Sequence, residues 1–469
     1  MNVVFCSSEV FPFAKTGGLG DVCGSLPVAL EKIGIQVTIV MPGYGCVSQA
    51  GIPVKSVSEK VSRAQIGNNI QVYFIEHGPY FDRKGLYVDD KGDYPDNLER
   101  FSYYCQQVLP LLKTIDVRPD IIHCHDWQTA LIPVYVKERY AQDPFYAQTK
   151  TIMTIHNIAF QGVFQKDQYP QLGLESPFAE QSLEFYDRMN LLKAGVIYGD
   201  RVTTVSPRYA KEIQTKPLGC GLDHVLNDRY DGVIGILNGL DHDIWNPRTD
   251  RFIAAQYSAD DFIDAKLKNK SQLQKELHFD VREEVPLCGF VGRLSHQKGI
   301  DLIIDALEAL VSMDVQIVFL GKGERHYQEK LEQAADLYPG RIAVCSDFNE
   351  PLGHQIYAGS DLFLMPSQFE PCGLSQMISL AYGTIPVVFK TGGLADTVKQ
   401  FSSVRKEGNG FVFKDYSSAS FLKAMKKAIK VFKNEKDLHN IRGNAFQCDF
   451  SWEKSARIYQ EIYHTIEKQ

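Results

Sequence analysis

Two glycine-rich segments flanked by charges are the first candidates for chemistry in this sequence. Lys15–Asp21 has the sequence Lys-Thr-Gly-Gly-Leu-Gly-Asp, and Lys390–Asp396 has Lys-Thr-Gly-Gly-Leu-Ala-Asp. Glycines let backbone N–H groups approach an anion closely, and the start of a following helix attracts negative charge. Neither segment has the glycine spacing of a dinucleotide site or a Walker loop. Their repetition with the same flanking charges favours phosphate-binding loops over the alternative, ordinary strand-to-helix turns.

Arg293 and Lys298 bracket a tight loop, Gly292–Gly299, after the predicted strand Leu287–Val291. The carboxyl edge of an open α/β sheet is where ligands bind. Arginine offers a rigid two-pronged donor and lysine a compact charge, so the two side chains are suited to hold one anion. The alternative is a capping loop with solvated charges. Lys15 has the same two interpretations: a contact to phosphate or a solvated surface cation.

Glu370 supplies a carboxylate after the predicted strand Leu362–Met365. It could accept hydrogen bonds from sugar hydroxyls and stabilise positive charge. The alternative is a glutamate favoured by the dipole of a following helix. The nearby Cys372 fits a packed thiol better than a nucleophile, because no activating partner adjoins it.

His123–Trp127, with the sequence His-Cys-His-Asp-Trp, follows a predicted strand. Two histidines and an aspartate suggest a metal site, but no further ligand cluster with suitable spacing accompanies them, so we expect no metal. Asp126 and Trp127 suit a carbohydrate, with a carboxylate for hydroxyls and a ring for stacking. His156 ends the next predicted strand in the same way, and two such strand ends on one edge indicate a pocket.

Short apolar runs alternate with amphipathic segments along almost the whole chain. Many runs are continuous in apolar residues, which predicts parallel sheets covered on both faces by crossover helices. The alternation weakens between residues 238 and 285, so we place a linker at 240–250 between two doubly wound domains. The predicted strands are Val3–Ser7, Val37–Met41, Val72–Ile75, Ile121–His123, Thr151–Ile155, Arg201–Val205, Val233–Leu237, Leu287–Val291, Gln316–Leu320, Ile342–Cys345, Leu362–Met365 and Ile385–Phe389, and the predicted helices include Val22–Ile33, Ile300–Ser312 and Ser420–Phe432.

Composition argues against several classes of protein. The 469 residues are 44% hydrophobic and 23% charged, as in globular proteins, and the net charge of −7 disfavours nucleic acid or an acidic membrane as a partner. The ten cysteines include no Cys-x-x-Cys pair, which favours reduced thiols in a cytoplasmic protein. No run of about 18 apolar residues and no signal-peptide pattern occur, so we expect neither a membrane span nor secretion.

Four motifs together resemble those of bacterial glycogen synthases, a glycosyltransferase family that includes plant starch synthases. They are Lys-Thr-Gly-Gly-Leu-Gly-Asp-Val at 15–22, Gly-Arg-Leu-x-x-Gln-Lys-Gly at 292–299, Pro-Ser-x-Phe-Glu-Pro-Cys-Gly-Leu at 366–374 and Thr-Gly-Gly-Leu-x-Asp-Thr-Val at 391–398. The resemblance runs from Glu9 to the region of Trp452, and the motifs are highly specific in combination.

The resemblance implies the α/β GT-B fold, in which two Rossmann-like domains with doubly wound parallel sheets face a deep cleft. It implies an acceptor-side domain at 1–241, a nucleotide-sugar-binding domain at 242–450 and a helix at 451–468 that returns to the first domain. The implied enzyme transfers glucose from ADP-glucose to the non-reducing end of an α-1,4-glucan such as glycogen, with retention and without a metal or other cofactor. The alternatives are a GT-B transferase with UDP-glucose or another acceptor, a two-domain nucleotide-linked oxidoreductase, and a catalytically silent glucan-binding protein.

The resemblance also implies roles for individual residues. Many family members have His where this chain has Gln128, which can bond a hydroxyl but cannot change charge near neutral pH. Tyr357 would lie against the adenine. The implied catalytic residues are Glu370, His156, Lys15, Arg293 and Lys298. The residues implied at the donor are Lys15, Gly18, Asp21, Asn238, Arg293, Lys298, Tyr357, Glu370, Cys372, Gly373, Gly392 and Gly393, and those implied at the acceptor are Glu9, Asp126, Trp127 and Gln128.

Overall fold

The computed structural model describes residues 1–347 and 349–468. These residues form two compact units. The first unit comprises Met1–Gly239 together with a C-terminal helix that begins at Trp452, and the second comprises Leu240–Ser451. The division predicted from the sequence lies between residues 241 and 242, inside the turn-rich segment that follows the last strand of the first unit.

The strands and helices of the described residues are numbered in chain order. The strands are β1 Asn2–Cys6, β2 Gln36–Pro42, β3 Lys55–Ser58, β4 Val61–Ile66, β5 Ile70–Ile75, β6 Val88–Asp89, β7 Gly92–Asp93, β8 Ile121–His125, β9 Lys150–Ile155, β10 Val163–Gln165, β11 Glu184–Phe185, β12 Arg188–Asn190, β13 Arg201–Thr204, β14 Val233–Gly235, β15 Leu287–Val291, β16 Gln316–Leu320, β17 Ile342–Cys345, β18 Leu362–Met365, β19 Ile385–Phe389 and β20 Phe411–Phe413. The helices are α1 Gly18–Lys32, α2 Gly78–Phe81, α3 Asn97–Thr114, α4 Leu131–Glu138, α5 Pro177–Leu183, α6 Leu191–Tyr198, α7 Pro207–Ile213, α8 Asp223–Asn227, α9 Phe262–Glu276, α10 Ile300–Ser312, α11 Arg325–Leu337, α12 Glu350–Gly359, α13 Ser375–Ala381, α14 Gly392–Thr397, α15 Ser418–Phe432, α16 Glu435–Phe446 and α17 Trp452–Glu467.

The first unit is built on one large sheet with the strand order β14-β13-β9-β8-β1-β2-β5-β4-β3. The strands from β14 to β5 run parallel, and Val3 of β1 lies opposite Val37 of β2 and Ile121 of β8. Parallel strands end at one edge of their sheet. The segments that follow β1, β8 and β9 therefore share an edge, and they carry the predicted side chains of this unit.

The described part of the second unit contains a parallel sheet in the order β17-β16-β15-β18-β19-β20. A buried apolar cluster packs this sheet against α9 and α12; it includes Leu273, Leu287 and Ile356. The ends of β15, β18 and β19 lead into the loops that hold Arg293, Glu370 and the second glycine pair. Both units thus present their predicted polar residues at the carboxyl ends of buried parallel strands.

The predicted α/β class with two parallel sheets is confirmed, and each predicted strand lies within a residue or two of an observed one. The antiparallel strands β3 and β4 were not predicted. All four residues of β3 are exposed, so this strand has no buried face and therefore no apolar pattern to reveal it. It pairs at the edge of the sheet, beyond the strands that form the core.

The C-terminal helix α17 completes the first unit by packing against α1. Its apolar face buries Trp452, Tyr459 and Tyr463. The Tyr463 hydroxyl lies 2.9 Å from Nδ1 of His123 in β8, and the Ser455 hydroxyl donates to the carbonyl of Leu237 at 2.6 Å. The last helix of the chain is therefore anchored to the sheet of the first unit by hydrogen bonds as well as by burial.

The ten cysteines all lie in the described residues and form no disulfide. Six of them are buried, as the sequence predicted for packed thiols. Within residues 1–347 and 349–468, none of the helices combines the length and apolar character needed to span a bilayer.

Candidate active site

The first glycine loop, residues 15–20, is held in place by Glu9, which follows β1. The Glu9 carboxylate accepts hydrogen bonds from the backbone N–H of Thr16 at 2.6 Å, from the Thr16 hydroxyl at 2.7 Å and from the N–H of Gly17 at 3.3 Å. The Tyr87 hydroxyl donates to the same carboxylate at 2.8 Å. Glu9 is only 3% exposed. It therefore fixes the loop that leads into α1.

The outer surface of this loop stays open. A Cβ atom added at Gly17 or at Gly18 would meet no other atom within 4 Å. Lys15 forms an ion pair with Asp21 at 2.6 Å, and their side chains remain 42% and 26% exposed. Both charges are therefore within reach of a ligand at the start of α1, where backbone N–H groups and the helix dipole favour an anion.

Three histidines, His123, His125 and His156, form a histidine cluster at the ends of β8 and β9. The rings of His123 and His125 stack with centroids 4.2 Å apart, and Nδ1 of His125 lies 3.0 Å from Nε2 of His156. The backbone N–H of His156 donates to the Asp126 carboxylate at 2.7 Å. The structure thus brings the predicted residues Asp126 and His156 together, and adds His125 behind them.

Burial shifts the pKa values of the histidine cluster and of Asp126 and so determines which of them are charged. It lowers the pKa of His123 and of His156 to about 3, and it lowers the pKa of His125 well below its usual range. Burial also raises the pKa of Asp126 to about 7, against the hydrogen bond from the backbone of His156, with a smaller contribution from the charge of Glu9. At neutral pH the three imidazoles are therefore uncharged.

The remaining predicted residues of the first unit are mostly covered. Trp127 is 8% exposed as a residue, and its ring packs against Phe101 and Phe164, with ring centroids 5.1 and 5.6 Å away. Gln128 is 6% exposed, and its Oε1 has no partner among the described residues. Asn238 is also buried, close to the end of the unit. Trp127 therefore leaves little surface open for stacking on a sugar.

The second unit places Lys298 and Glu370 in direct contact. Lys298 Nζ lies 2.6 Å from a carboxylate oxygen of Glu370, and the Ser367 hydroxyl donates to the same oxygen at 3.0 Å. The side chains of Lys298 and Glu370 are 25% and 7% exposed. A largely desolvated ion pair at the ends of β15 and β18 is therefore the centre of this edge.

The second glycine pair closes onto the Glu370 loop, residues 366–374. The backbone N–H of Gly393 donates to the carbonyl of Glu370 at 3.0 Å. Gly392 has φ +39°, and a Cβ atom there would lie 1.9 Å from the same carbonyl oxygen. Glycine is required because any side chain would push the two loops apart. The structure thus brings Gly392, Gly393 and Glu370 together.

The other residues predicted to bind the donor differ in how exposed they are to solvent. Arg293 is exposed and makes no side-chain hydrogen bond or ion pair to another described residue. Cys372 is buried, and its carbonyl accepts from Gln376 Nε2 at 3.0 Å, as does that of Gly373 at 2.9 Å. Tyr357 is not brought to this edge as an open ring: it is 2% exposed and packs against Trp245 and Phe363.

Four residues that support the site were not predicted from the sequence: Thr16, Tyr87, Ser367 and Gln376. Thr16 and Ser367 lie inside the recognised motifs and could have been suspected from that position. Tyr87 is 78 residues from Glu9 in sequence, and no local pattern connects them. These residues hold carboxylates and loops rather than carrying exposed charge, so residue type alone does not single them out.

The chemistry available at the two edges consists of cations, carboxylates, neutral imidazoles and backbone N–H groups. Cations beside glycine loops suit a diphosphate, and a buried carboxylate suits sugar hydroxyls or a developing positive charge. Over the described ranges 1–347 and 349–468, no three His, Cys, Asp or Glu side chains are grouped to hold a metal ion.

Comparisons with known proteins agree with this chemistry. Residues 2–228 match the family model of the starch synthase catalytic domain, and residues 274–447 match that of the group 1 glycosyl transferases. A glycogen synthase of Thermotoga maritima is 43% identical over 99% of this chain and 98% of its own length, and glycogen synthase 2 of Geobacter sulfurreducens matches equally well.

Solved structures give the same result. The catalytic domain of starch synthase IV from Arabidopsis thaliana, bound to ADP and acarbose, has a TM-score of 0.90 and 35% identity, over 100% of this chain and 99% of that one. Sucrose-phosphate synthase from Thermosynechococcus elongatus shares the fold at 15% identity, with a TM-score of 0.61 and 99% and 98% coverage.

Two parallel-sheet units and two glycosyltransferase family models define a glycosyltransferase of the GT-B fold class. The similarity to glycogen synthases over the full length narrows this class to one family. The chain belongs to the family of bacterial glycogen synthases and plant starch synthases. It is therefore an enzyme that transfers glucosyl units to a glucan.

Proposed function

We propose that the chain elongates glycogen, an α-1,4-glucan, by transferring glucose from ADP-glucose to the non-reducing end with retention at the anomeric carbon. The observation that carries the proposal is the ion pair between the buried Glu370 and the partly exposed Lys298, beside the Gly392–Gly393 backbone. The ADP found in the Arabidopsis starch synthase IV domain supports an adenine nucleotide as the carrier.

Lys298, Arg293 and Lys15 are assigned to the diphosphate. Breaking the bond from the anomeric carbon to phosphate leaves negative charge on ADP. Fixed cations stabilise this charge more strongly in the transition state than in the ground state, and that difference lowers the barrier. The open backbone at Gly18 gives the phosphates a second contact without a side chain in the way.

Glu370 and His156 are assigned to the transferred glucose. The Glu370 carboxylate is held by Lys298 and Ser367, so it can accept from sugar hydroxyls and stabilise the positive charge that develops on the ring. We assign Asp126, Trp127 and Gln128 to the acceptor side. Glu9 acts there indirectly, because its carboxylate holds the first glycine loop.

A front-face displacement accounts for retention without an enzymic nucleophile. The acceptor 4-hydroxyl oxygen forms its bond to the anomeric carbon on the face that the phosphate leaves. The bond from that carbon to the phosphate oxygen breaks, its electron pair goes to ADP, and the departing phosphate oxygen takes the hydroxyl proton. Trapping of a covalent glucosyl-enzyme would contradict this mechanism.

The test is glucose incorporation into glycogen by the purified chain in EDTA, with ADP-glucose and UDP-glucose compared side by side. We expect ADP-glucose to be used far better, and the product to be cleaved by an α-1,4-specific amylase. Equal use of both donors would retain the transferase and reject the selectivity for adenine. No incorporation from either donor by the folded chain would reject the proposal.

A further inference from the structure

The contact between His125 and His156 determines where the proton of each ring lies. Nδ1 of His125 and Nε2 of His156 are 3.0 Å apart, so one of these nitrogens donates and the other accepts. Two arrangements satisfy the bond when both rings are neutral. In the first, His125 donates from Nδ1 and the His156 proton sits on Nδ1. In the second, His156 donates from Nε2 and the His125 proton sits on Nε2.

The surroundings of His125 distinguish these arrangements. Its Nε2 is buried and has no hydrogen-bond partner among the described residues. The ring packs against Phe5 and His123, with centroids 5.1 and 4.2 Å away. A proton on this nitrogen would be a buried N–H without an acceptor, which folded proteins avoid more strictly than an unused lone pair. The second arrangement is therefore disfavoured.

We propose that His125 is a positioning residue that locks His156 in the Nδ1–H tautomer, so that His156 presents a hydrogen-bond donor to the transferred sugar. This inference rests on the proposed function in one respect, the placement of His156 at the sugar. Nδ1 of His156 makes no hydrogen bond to a described residue, and the residue keeps 8% of its surface exposed. With Nε2 occupied by His125, Nδ1 is the nitrogen left for a ligand.

The rest of the pocket wall supports a fixed ring. The backbone N–H of His156 donates to Asp126, which fixes the backbone that carries the ring. His123 anchors the opposite side of His125, because its own nitrogens lie 2.9 Å from the Tyr463 hydroxyl and 2.6 Å from that of Thr154. Both His123 nitrogens are thus taken by these hydroxyls, so His123 packs against His125 without taking part in the hydrogen bond between His125 and His156.

The direct test is nitrogen NMR of the full chain labelled with ¹⁵N-histidine at pH 7, with the His156 signals assigned from His156→Gln. Long-range proton couplings show which nitrogen of a neutral imidazole carries the proton. We expect His156 to carry it on Nδ1. A proton on Nε2 of His156 in the unmodified chain would overturn the inference, whether or not the enzyme transfers glucose.

Variants of His125 test whether this residue orients the His156 ring or only fills space behind it. His125→Phe keeps a ring but removes the donor, so we expect His156 to lose its single tautomer and kcat to fall on the order of tenfold to a hundredfold, as for other groups that orient a working side chain from behind. His125→Asn places an amide near the position of Nδ1 and should restore the tautomer and most of kcat. His123→Asn is the matched control: it should lower Tm but leave the His156 tautomer unchanged.

The outcomes distinguish this inference from the proposed function. A single Nδ1–H tautomer that persists in folded His125→Phe would reject the role of His125 while leaving glucosyl transfer intact. Full activity of His156→Ala would instead reject the placement of His156 at the sugar. Failure of the unmodified chain to transfer glucose would reject the proposed function, and the NMR result would still show which histidine donates.

Discussion

At the scale of single residues, the Lys298–Glu370 ion pair differs from the surface ion pairs of the same chain in its burial. Lys113 and Asp143 are separated by 2.7 Å, close to the 2.6 Å of Lys298 and Glu370, but the Lys113 side chain is 45% exposed. Exposed pairs contribute little because water screens them and both side chains lose freedom. The Glu370 side chain, 7% exposed, has no such screening, so its charge acts on whatever lies beside it.

Replacing Glu370 therefore tests the site with little change of shape. We expect Glu370→Gln to lower kcat about a hundredfold, corresponding to ~3 kcal/mol of lost transition-state stabilisation, while Tm stays near that of the unmodified chain. Initial rates with ADP-glucose and glycogen measure the effect. Lys113→Ala, which breaks the exposed pair of similar length, should keep full activity. Near-normal turnover of Glu370→Gln would remove its assigned role.

The histidine cluster predicts how stability depends on pH. The folded pKa of His123 and His156 is about 3, whereas an unfolded histidine titrates near 6.5. Below about pH 6.5 the unfolded state binds more protons at these rings, so their contribution to stability is lost as the pH falls toward 3. Asp126 acts in the opposite direction: its folded pKa of about 7 exceeds the unfolded value, so its contribution grows between pH 7 and about 4.

As the pH falls from 7 to 5, the stability lost at three histidines exceeds the stability gained at one aspartate. We expect the free energy of unfolding of the first unit to fall by on the order of 3 kcal/mol between pH 7 and pH 5. Urea unfolding followed by circular dichroism at the two pH values measures it. His123→Asn should flatten this dependence, whereas His464→Asn, on the exposed side of α17, should leave it unchanged. A steeper dependence in His123→Asn would contradict the explanation.

The candidate functional residues were easier to predict from the sequence than the residues that hold them in place. Lys298 and Glu370 each lie in a short motif after a strand, and the topology of a parallel sheet brings such motifs to one edge. The sequence showed no reason for Glu9 to contact Tyr87, because this contact depends on how a distant loop folds back. The buried state of Tyr357 was equally hidden, since a tyrosine on an amphipathic helix suits a core and a ligand alike.

At the scale of elements, continuous apolar runs made the parallel strands predictable, while β3 remained hidden because its side chains face water. The loops between elements depend on finer constraints. Gly392 must be a glycine because of its φ of +39° and the Glu370 carbonyl beside it. Gly18, in the corresponding loop of the first unit, has free space where a side chain would go. The two glycine pairs therefore have different reasons to be glycine.

This difference can be measured with alanine substitutions. Gly392→Ala should displace the Glu370 loop, lowering both Tm and activity. Gly18→Ala should keep Tm but weaken donor binding, because its methyl group would occupy space assigned to the phosphates. Gly443→Ala in α16, where a Cβ also meets nothing within 4 Å, is the control: it should keep donor binding and activity and should not lower Tm, because alanine favours a helix more than glycine does. Unchanged donor affinity in Gly18→Ala would remove the phosphate from that loop.

At the scale of the whole molecule, the assigned groups are divided between the two units. Lys15 and His156 belong to the first unit, and Arg293, Lys298 and Glu370 to the second. We therefore expect transfer to need groups from each unit, so that Lys15→Ala in the first and Arg293→Ala in the second each lower kcat about a hundredfold while Tm stays near that of the unmodified chain. Initial rates with ADP-glucose and glycogen measure both effects. Full activity of either variant would contradict this expectation.

The return of the last helix to the first unit has a consequence for synthesis on the ribosome. His123 and its partner Tyr463 are 340 residues apart. At 5–20 residues per second, roughly 20–70 s pass between the emergence of the one and the arrival of the other. During that interval the nascent first unit exposes the apolar surface of α1 that α17 later covers, while the whole second unit is being made. The unit that begins first is thus completed only after the second unit has been made, and its apolar surface stays open to aggregation until α17 emerges.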